Sequence, residues 1–142
     1  MKLSTYFFVA LIATSLFSCK KDNTTKTCSL SEANLAGTYK IAALKYKASA
    51  SSPEVDGSSM VDACSLDNLQ TFKPDYSLIS TDAGVKCDPS DDDSSTWSLS
   101  GTTLIVDGDN NDITAFDCAG FTINQPDFKV AGDSFIITFK KQ

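Results

Sequence analysis

Five cysteines and a complete absence of histidine limit the chemistry open to this 142-residue chain. Without imidazole there is no Ser-His-Asp or Cys-His nucleophilic system, no histidine metal ligand and no ordinary neutral-pH general base. Serines are plentiful, but none stands in a Gly-x-Ser-x-Gly elbow. The carboxylates concentrate in segments that read as turns. Water there keeps both members of any pair ionised, and nothing raises one pKa for general-acid work. Two acidic runs invite a metal. Asp107, Asp109 and Asn111 have the spacing of the first three calcium-loop ligands, yet Asp112 stands where Gly is needed and Cys118 where Glu is needed. A hairpin turn is the simpler account of that run, because Asp, Asn and Gly tolerate positive φ. Asp88, Asp91, Asp92 and Asp93 read as a solvated loop. No CxxC pair occurs, which disfavours zinc. The expectation is a protein that is not an enzyme, with no catalytic residues, no cofactor and no metal.

The fifth cysteine has a different chemistry. Lys2 precedes an almost continuously apolar stretch from Tyr6 to Phe17, broken only by Thr14 and Ser15. A dozen such residues suit a signal-peptide core and fall short of the roughly 20 that span a bilayer. Leu16-Phe17-Ser18-Cys19 follows. With Leu at −3, a small residue at −1 and Cys at +1, it resembles the lipobox of bacterial lipoproteins. That resemblance implies a signal peptide over residues 1–18 and a Cys19 thiol that takes diacylglycerol as a thioether. Acyl chains of the palmitate type would then hold the mature chain to a membrane, at ~0.8 kcal/mol per buried CH₂. Residues 19–27 are polar and aperiodic and read as a lipidated, flexible tether. Lys20, rather than Asp, after the lipid-bearing residue favours the outer membrane of the cell envelope. Beyond residue 18, eleven Lys and eighteen Asp or Glu leave a net side-chain charge of −7. That argues against nucleic acid and against an electrostatic grip on anionic lipids.

With Cys19 given to lipid, four cysteines remain, an even number in an oxidising compartment, so two disulfides are expected. Four cysteines allow three connectivities. Cys64–Cys87 with Cys28–Cys118 is favoured, the first closing a local excursion and the second tying the N-terminal segment to a late strand.

The elements that position these residues are strands. Ser29-Leu30-Ser31-Glu32 has the form of a capping box and predicts one helical turn over residues 30–35, ended by Gly37. Beyond it, short apolar and β-branched runs recur between turn residues. Eight strands are expected: Thr38–Lys47, Leu66–Lys73, Tyr76–Thr81, Ser94–Leu99, Thr103–Asp107, Ile113–Cys118, Gly120–Asn124 and Ser134–Lys140. Phe128–Val130 either extends the seventh or stands apart. Alternation assigns one buried face per strand: Tyr39, Ile41 and Ala43; Trp97 and Leu99; Phe121 and Ile123; Phe135, Ile137 and Phe139. An antiparallel meander of this kind protects its edges by closing into a barrel. Residues 28–142 therefore read as one all-β domain. Two loops, 48–63 and 82–93, are longer than hairpins need, and Cys64–Cys87 would staple them together at one end.

Gly37-Thr38-Tyr39, following a short helical turn, is similar to the Gly-x-Trp segment that opens lipocalins. Together with the eight-strand meander, Cys64-Ser65-Leu66-Asp67-Asn68, Thr71-Phe72 and Trp97-Ser98-Leu99-Ser100-Gly101, it makes the mature chain resemble the small lipocalin-like lipoproteins of Gram-negative bacteria. Tyr39 replaces the Trp. With no Arg in the chain, Lys140 or Lys141 is left to stack on it. The resemblance implies an eight-stranded up-and-down barrel that binds a small hydrophobic ligand. The inward candidates are Tyr39, Ile41, Phe72, Trp97, Leu99, Leu104, Phe121, Ile123, Phe135 and Phe139. The alternative is a filled barrel that presents its loops to a protein partner in the envelope.

Overall fold

The computed structural model describes residues 28–142; the signal peptide, lipid-bearing Cys19 and tether expected from the sequence lie outside the described residues. The β-branched and aromatic runs form strands wherever turn residues bound them. Helix α1 (Glu32–Leu35) precedes β1 (Gly37–Lys47), β2 (Val55–Asp56), β3 (Leu69–Phe72), β4 (Ser77–Thr81), β5 (Asp93–Ser100), β6 (Thr103–Val106), β7 (Asp109–Phe116), β8 (Gly120–Pro126) and β9 (Ser134–Lys141). Consecutive strands from β3 to β9 pair antiparallel, and β1 pairs with both β3 and β9. Eight strands thus close a barrel, which removes the edges an open sheet would expose. The ninth, β2, is a two-residue addition along the outer half of β1.

One end of the barrel is plugged by side chains. Tyr39, Phe72, Phe121 and Phe139 meet there, with ring centroids 4.8–5.8 Å apart. Trp97 packs edge-on against Phe72 at 5.4 Å, and Leu78, Leu104, Ile113 and Ile123 join the cluster. Helix α1 lies across this end, with Leu35 fully buried. The buried Tyr39 hydroxyl donates to the Leu35 carbonyl at 2.8 Å. Lys141 Nζ donates to the carbonyls of Asn34 and Ala36 at 3.1 and 2.9 Å and sits 5.5 Å from the Tyr39 ring centroid. Of the two lysines offered for stacking on Tyr39, Lys141 fills the role and Lys140 is exposed. Cys28–Cys118 pins the start of the described chain to the β7–β8 turn at the same end.

Several boundaries differ from the sequence expectation for local reasons. The helix cap is Ser31, whose side chain accepts from the Asn34 amide, so the turn starts later than residue 30. Residues 63–67 wind into a 3-10 turn, which delays β3 to Leu69. The register of β1 against β9 shifts between Ile41 and Ala43. This bulge reverses the alternation, so Ala43 is exposed and Leu44 is buried in its place. The β6–β7 turn contracts to Asp107 and Gly108, both at positive φ, and β7 therefore starts at Asp109 and ends at Phe116. Phe128–Val130 neither extends β8 nor forms a strand. It belongs to a loop wrapped around the buried Asp133 carboxylate, which accepts from the amides of Lys129 and Val130 and from the Tyr46 hydroxyl, while Phe128 stacks on Phe135 at 4.5 Å.

Candidate functional site

The end opposite α1 is open. It carries the loops 48–68 and 82–92, the Asp107-Gly108 turn and the loop 127–133. Cys64–Cys87 joins the first two loops across it. Beneath them lies a cleft of about 620 Å³, entering the barrel between β1, β3, β4, β5 and β6.

Its lining follows from strand alternation carried past the aromatic plug. Phe72 faces inward on β3, so Gln70 and then Asn68 face inward above it. Leu78 on β4 is followed by Ser80, and Trp97 on β5 is preceded by Ser95 and Asp93. Ile41, Val61, Leu78 and Val106 supply the apolar part. The Asp91 carboxylate on the loop is held by the Ser65 hydroxyl and by the Asn68 side-chain amide at 3.1 Å. Gln70 donates to the Ser80 hydroxyl at 2.9 Å. Asp107 accepts from the Thr96 amide at 2.7 Å and from its hydroxyl. The loop itself is fixed from below by Asp82, which is 1 % exposed and accepts from the Cys87 amide at 3.1 Å. The Asp82 amide donates to Asp92, which holds the Asp92 carboxyl below its usual range. Of these groups, Gln70, Ser80, Ser95 and Asp93 are the ones that alternation, extended outward from Phe72, Leu78 and Trp97, would have found in the sequence; the loop residues Ser65, Asp82, Asp91 and Asp92 carry no such signal.

Of the ten inward residues expected to meet a ligand, Ile41 lines this cleft. Tyr39, Phe72, Trp97, Leu104, Phe121, Ile123 and Phe139 form the buried cluster, and Leu99 is packed against it. Phe135 is buried apart from that cluster, under Phe128. The plug leaves the lower half of the barrel to side chains, and the space lies above it.

Members of the acidic runs make local hydrogen bonds within the protein. Asp107 closes the hairpin, Asp109 and Asn111 stand in β7, and Asn111 is buried, so the calcium-type spacing is spread along a strand. Among the described residues, Cys64, Cys87 and Asp91 converge as metal-ligand types within 4.8 Å. The two sulfurs are bonded to each other, so neither offers the thiolate a metal takes. No helix among the described residues is long and apolar enough to cross a membrane. A family model described as a lipocalin-like domain matches residues 35–125. No curated protein matches the chain.

Proposed function

The chain belongs to the lipocalin-like family, and from that membership we propose that it is a membrane-anchored binding protein holding one small, largely hydrophobic molecule at the open end of its barrel. The observation that carries this reading is the cleft of about 620 Å³ above the aromatic plug, which falls in the size range of small-molecule sites. Ile41, Val61, Leu78 and Val106 offer the apolar surface, and no catalytic step is assigned to the site.

The anchor belongs to the same proposal. The Leu16-Phe17-Ser18-Cys19 segment supports lipidation at Cys19 and a place in the envelope of a Gram-negative bacterium, with the outer membrane favoured by Lys20. Cys28 is bonded to Cys118 at the plugged end, so a tether reaching the barrel from Cys19 arrives on the side away from the cleft. The lipid would hold the protein by its closed end and leave the mouth facing the aqueous space.

Native mass spectrometry of the oxidised protein, with a solvent extract of the same sample, tests the binding. A stoichiometric small molecule is expected in the wild type and absent from Val61→Trp, which fills the mouth without changing charge. Absence of any adduct, with Trp97 emission unchanged by fatty acids, isoprenoids and lipophilic amines, would favour the filled barrel with a protein partner instead. For the anchor, labelled palmitate should enter the wild type and fail to enter Cys19→Ser.

A further inference from the structure

We propose that the outer face of the barrel over β7, β8, β9 and β1, beside the plugged end, is a membrane-contact surface that lies on the phospholipid bilayer; the inference rests on the anchor at Cys19. Outward positions of a half-solvated sheet are ordinarily polar. Here Ala42 on β1, Ala115 on β7 and Ala119 in the β7–β8 turn are exposed, and Gly120 on β8 leaves the backbone without a side chain. With the half-buried Phe116 they line an open groove of about 360 Å³. The polar groups around it are turned away from it. Asp117 directs its carboxylate to the Ala119 and Gly120 amides at 2.9 and 2.7 Å, and the hydroxyls of Thr122 and Thr138 bond to each other at 3.1 Å.

An independent observation gives the charge of the partner. Lys140 stands at the rim of the groove, and Lys40 lies directly opposite it in the β1–β9 register. Tyr39 and Phe139 point into the core, so both lysines point outward on one face. Like charges placed opposite each other destabilise a sheet, and neither ammonium meets a carboxylate: the one ion pair among the described residues is Lys45–Glu54. A lysine pair beside an apolar groove fits the border of a bilayer, where phosphates lie next to acyl chains. The net charge of the chain opposes an electrostatic grip on the whole molecule, but the Asp91–Asp93 run that contributes to it stands at the mouth, away from this face.

The place of the anchor selects the bilayer over other occupants. Cys118, bonded to Cys28, sits between Asp117 and Ala119 of the groove. Cys28 lies nine residues beyond Cys19, at most about 30 Å of extended chain. A lipid on Cys19 therefore holds this face near the membrane at high effective concentration, and contacts too weak to retain a free protein suffice to orient a tethered one. A second copy seated on the same face would set its own lysines against Lys40 and Lys140. A small molecule in so open a groove would leave much of its surface in water.

The test uses the lipidated, oxidised protein in vesicles of phosphatidylethanolamine and phosphatidylglycerol, with and without bromine on the acyl chains. Bromine quenches only tryptophan that touches the bilayer, and the buried Trp97 gives a constant background. Ala119→Trp, and Ala115→Trp on the neighbouring strand, should each lose at least about half of their added emission in brominated vesicles. Ala131→Trp, at the mouth, should lose none. Lys40→Gln together with Lys140→Gln, or added salt, should reduce the quenching at residue 119. If the protein floats with the vesicles but residues 115, 119 and 131 are quenched alike or not at all, the contact face is wrong while the anchor stands. Emission from Ala119→Trp that is blue-shifted but indifferent to bromine would mean that protein covers the face, and also overturns the proposal. If the protein does not float with the vesicles, the anchor and the contact face both fall.

Discussion

Tyr39 and Lys141 show how one substitution propagates locally. With Tyr rather than Trp at the start of β1, the ring brings a hydroxyl into the plug, and that hydroxyl has to be satisfied inside. The Leu35 carbonyl accepts it, and Lys141 covers the ring while capping the carbonyls at the end of α1. Tyr39→Phe should cost about 1–2 kcal/mol in urea unfolding, because it leaves a buried carbonyl unpaired. Burial raises the Tyr39 pKa from 10.0 to about 12. The folded state therefore favours the neutral phenol, a contribution intact below pH 10 and lost as pH rises through 12. The stability difference between wild type and Tyr39→Phe should shrink across that interval, as denaturation at pH 8 and at pH 11–12 would show. Asp133 works in the opposite sense. Burial alone would raise its carboxyl pKa, but the Tyr46 hydroxyl and the amides of Lys129, Val130 and Phe128 outweigh it and hold it below 3.8. That stabilisation is present above about pH 4 and lost on further acidification. Asp133→Asn should cost about 1–3 kcal/mol at neutral pH, with a difference from wild type that narrows in acid.

At the scale of elements, closure depends on how near β8 can come to β9. A Cβ added at Gly120 would stand 2.3 Å from the Phe139 carbonyl oxygen, a separation that only backbone movement can relieve. Gly120→Ala should therefore destabilise by about 1–3 kcal/mol, the range for overpacking, with hydrogen exchange rising first along β8 and β9. The bulge near Ala42 acts on the other partner of β9. It lets Tyr39 face inward at the plug, Ile41 at the foot of the cleft and Leu44 nearer the mouth, which strict alternation of an 11-residue strand would forbid. Strand positions were legible because β-branched and aromatic runs stood between turn residues. The bulge was not, since Ala42 and Ala43 are equally small and nothing local says which is the extra residue.

For the whole molecule, the two disulfides divide the work. Cys28–Cys118 spans 90 residues and Cys64–Cys87 spans 23. By chain entropy they should contribute about 4.6 and about 3.4 kcal/mol respectively. Replacing the first pair by Ser should lower the unfolding midpoint more than replacing the second. Replacing the second should instead loosen the mouth, read as faster exchange at the amides of Val85 and Cys87 with the plug unaffected. Acidic charge is concentrated along the same axis. The open end collects Asp62, Asp67, Asp82 and the Asp91–Asp93 run, while the lysines are split, with Lys40, Lys73, Lys140 and Lys141 toward the plug and Lys45, Lys47, Lys86 and Lys129 toward the mouth.

The sequence by itself determined the class of fold: eight amphipathic strands with short links have few ways to hide their edges, and a barrel is one of them. It also excluded imidazole chemistry outright, because folding cannot supply a missing residue type. What only the tertiary structure decided is where the space lies. Alternation tells which side chains point inward, but whether inward residues touch one another or leave a void depends on how strands from distant parts of the chain converge. Tyr39, Phe72, Trp97, Phe121 and Phe139 converge and fill one end; Gln70, Ser80 and Ser95 stand side by side on one wall of a gap because three loops far apart in sequence hold the other end open.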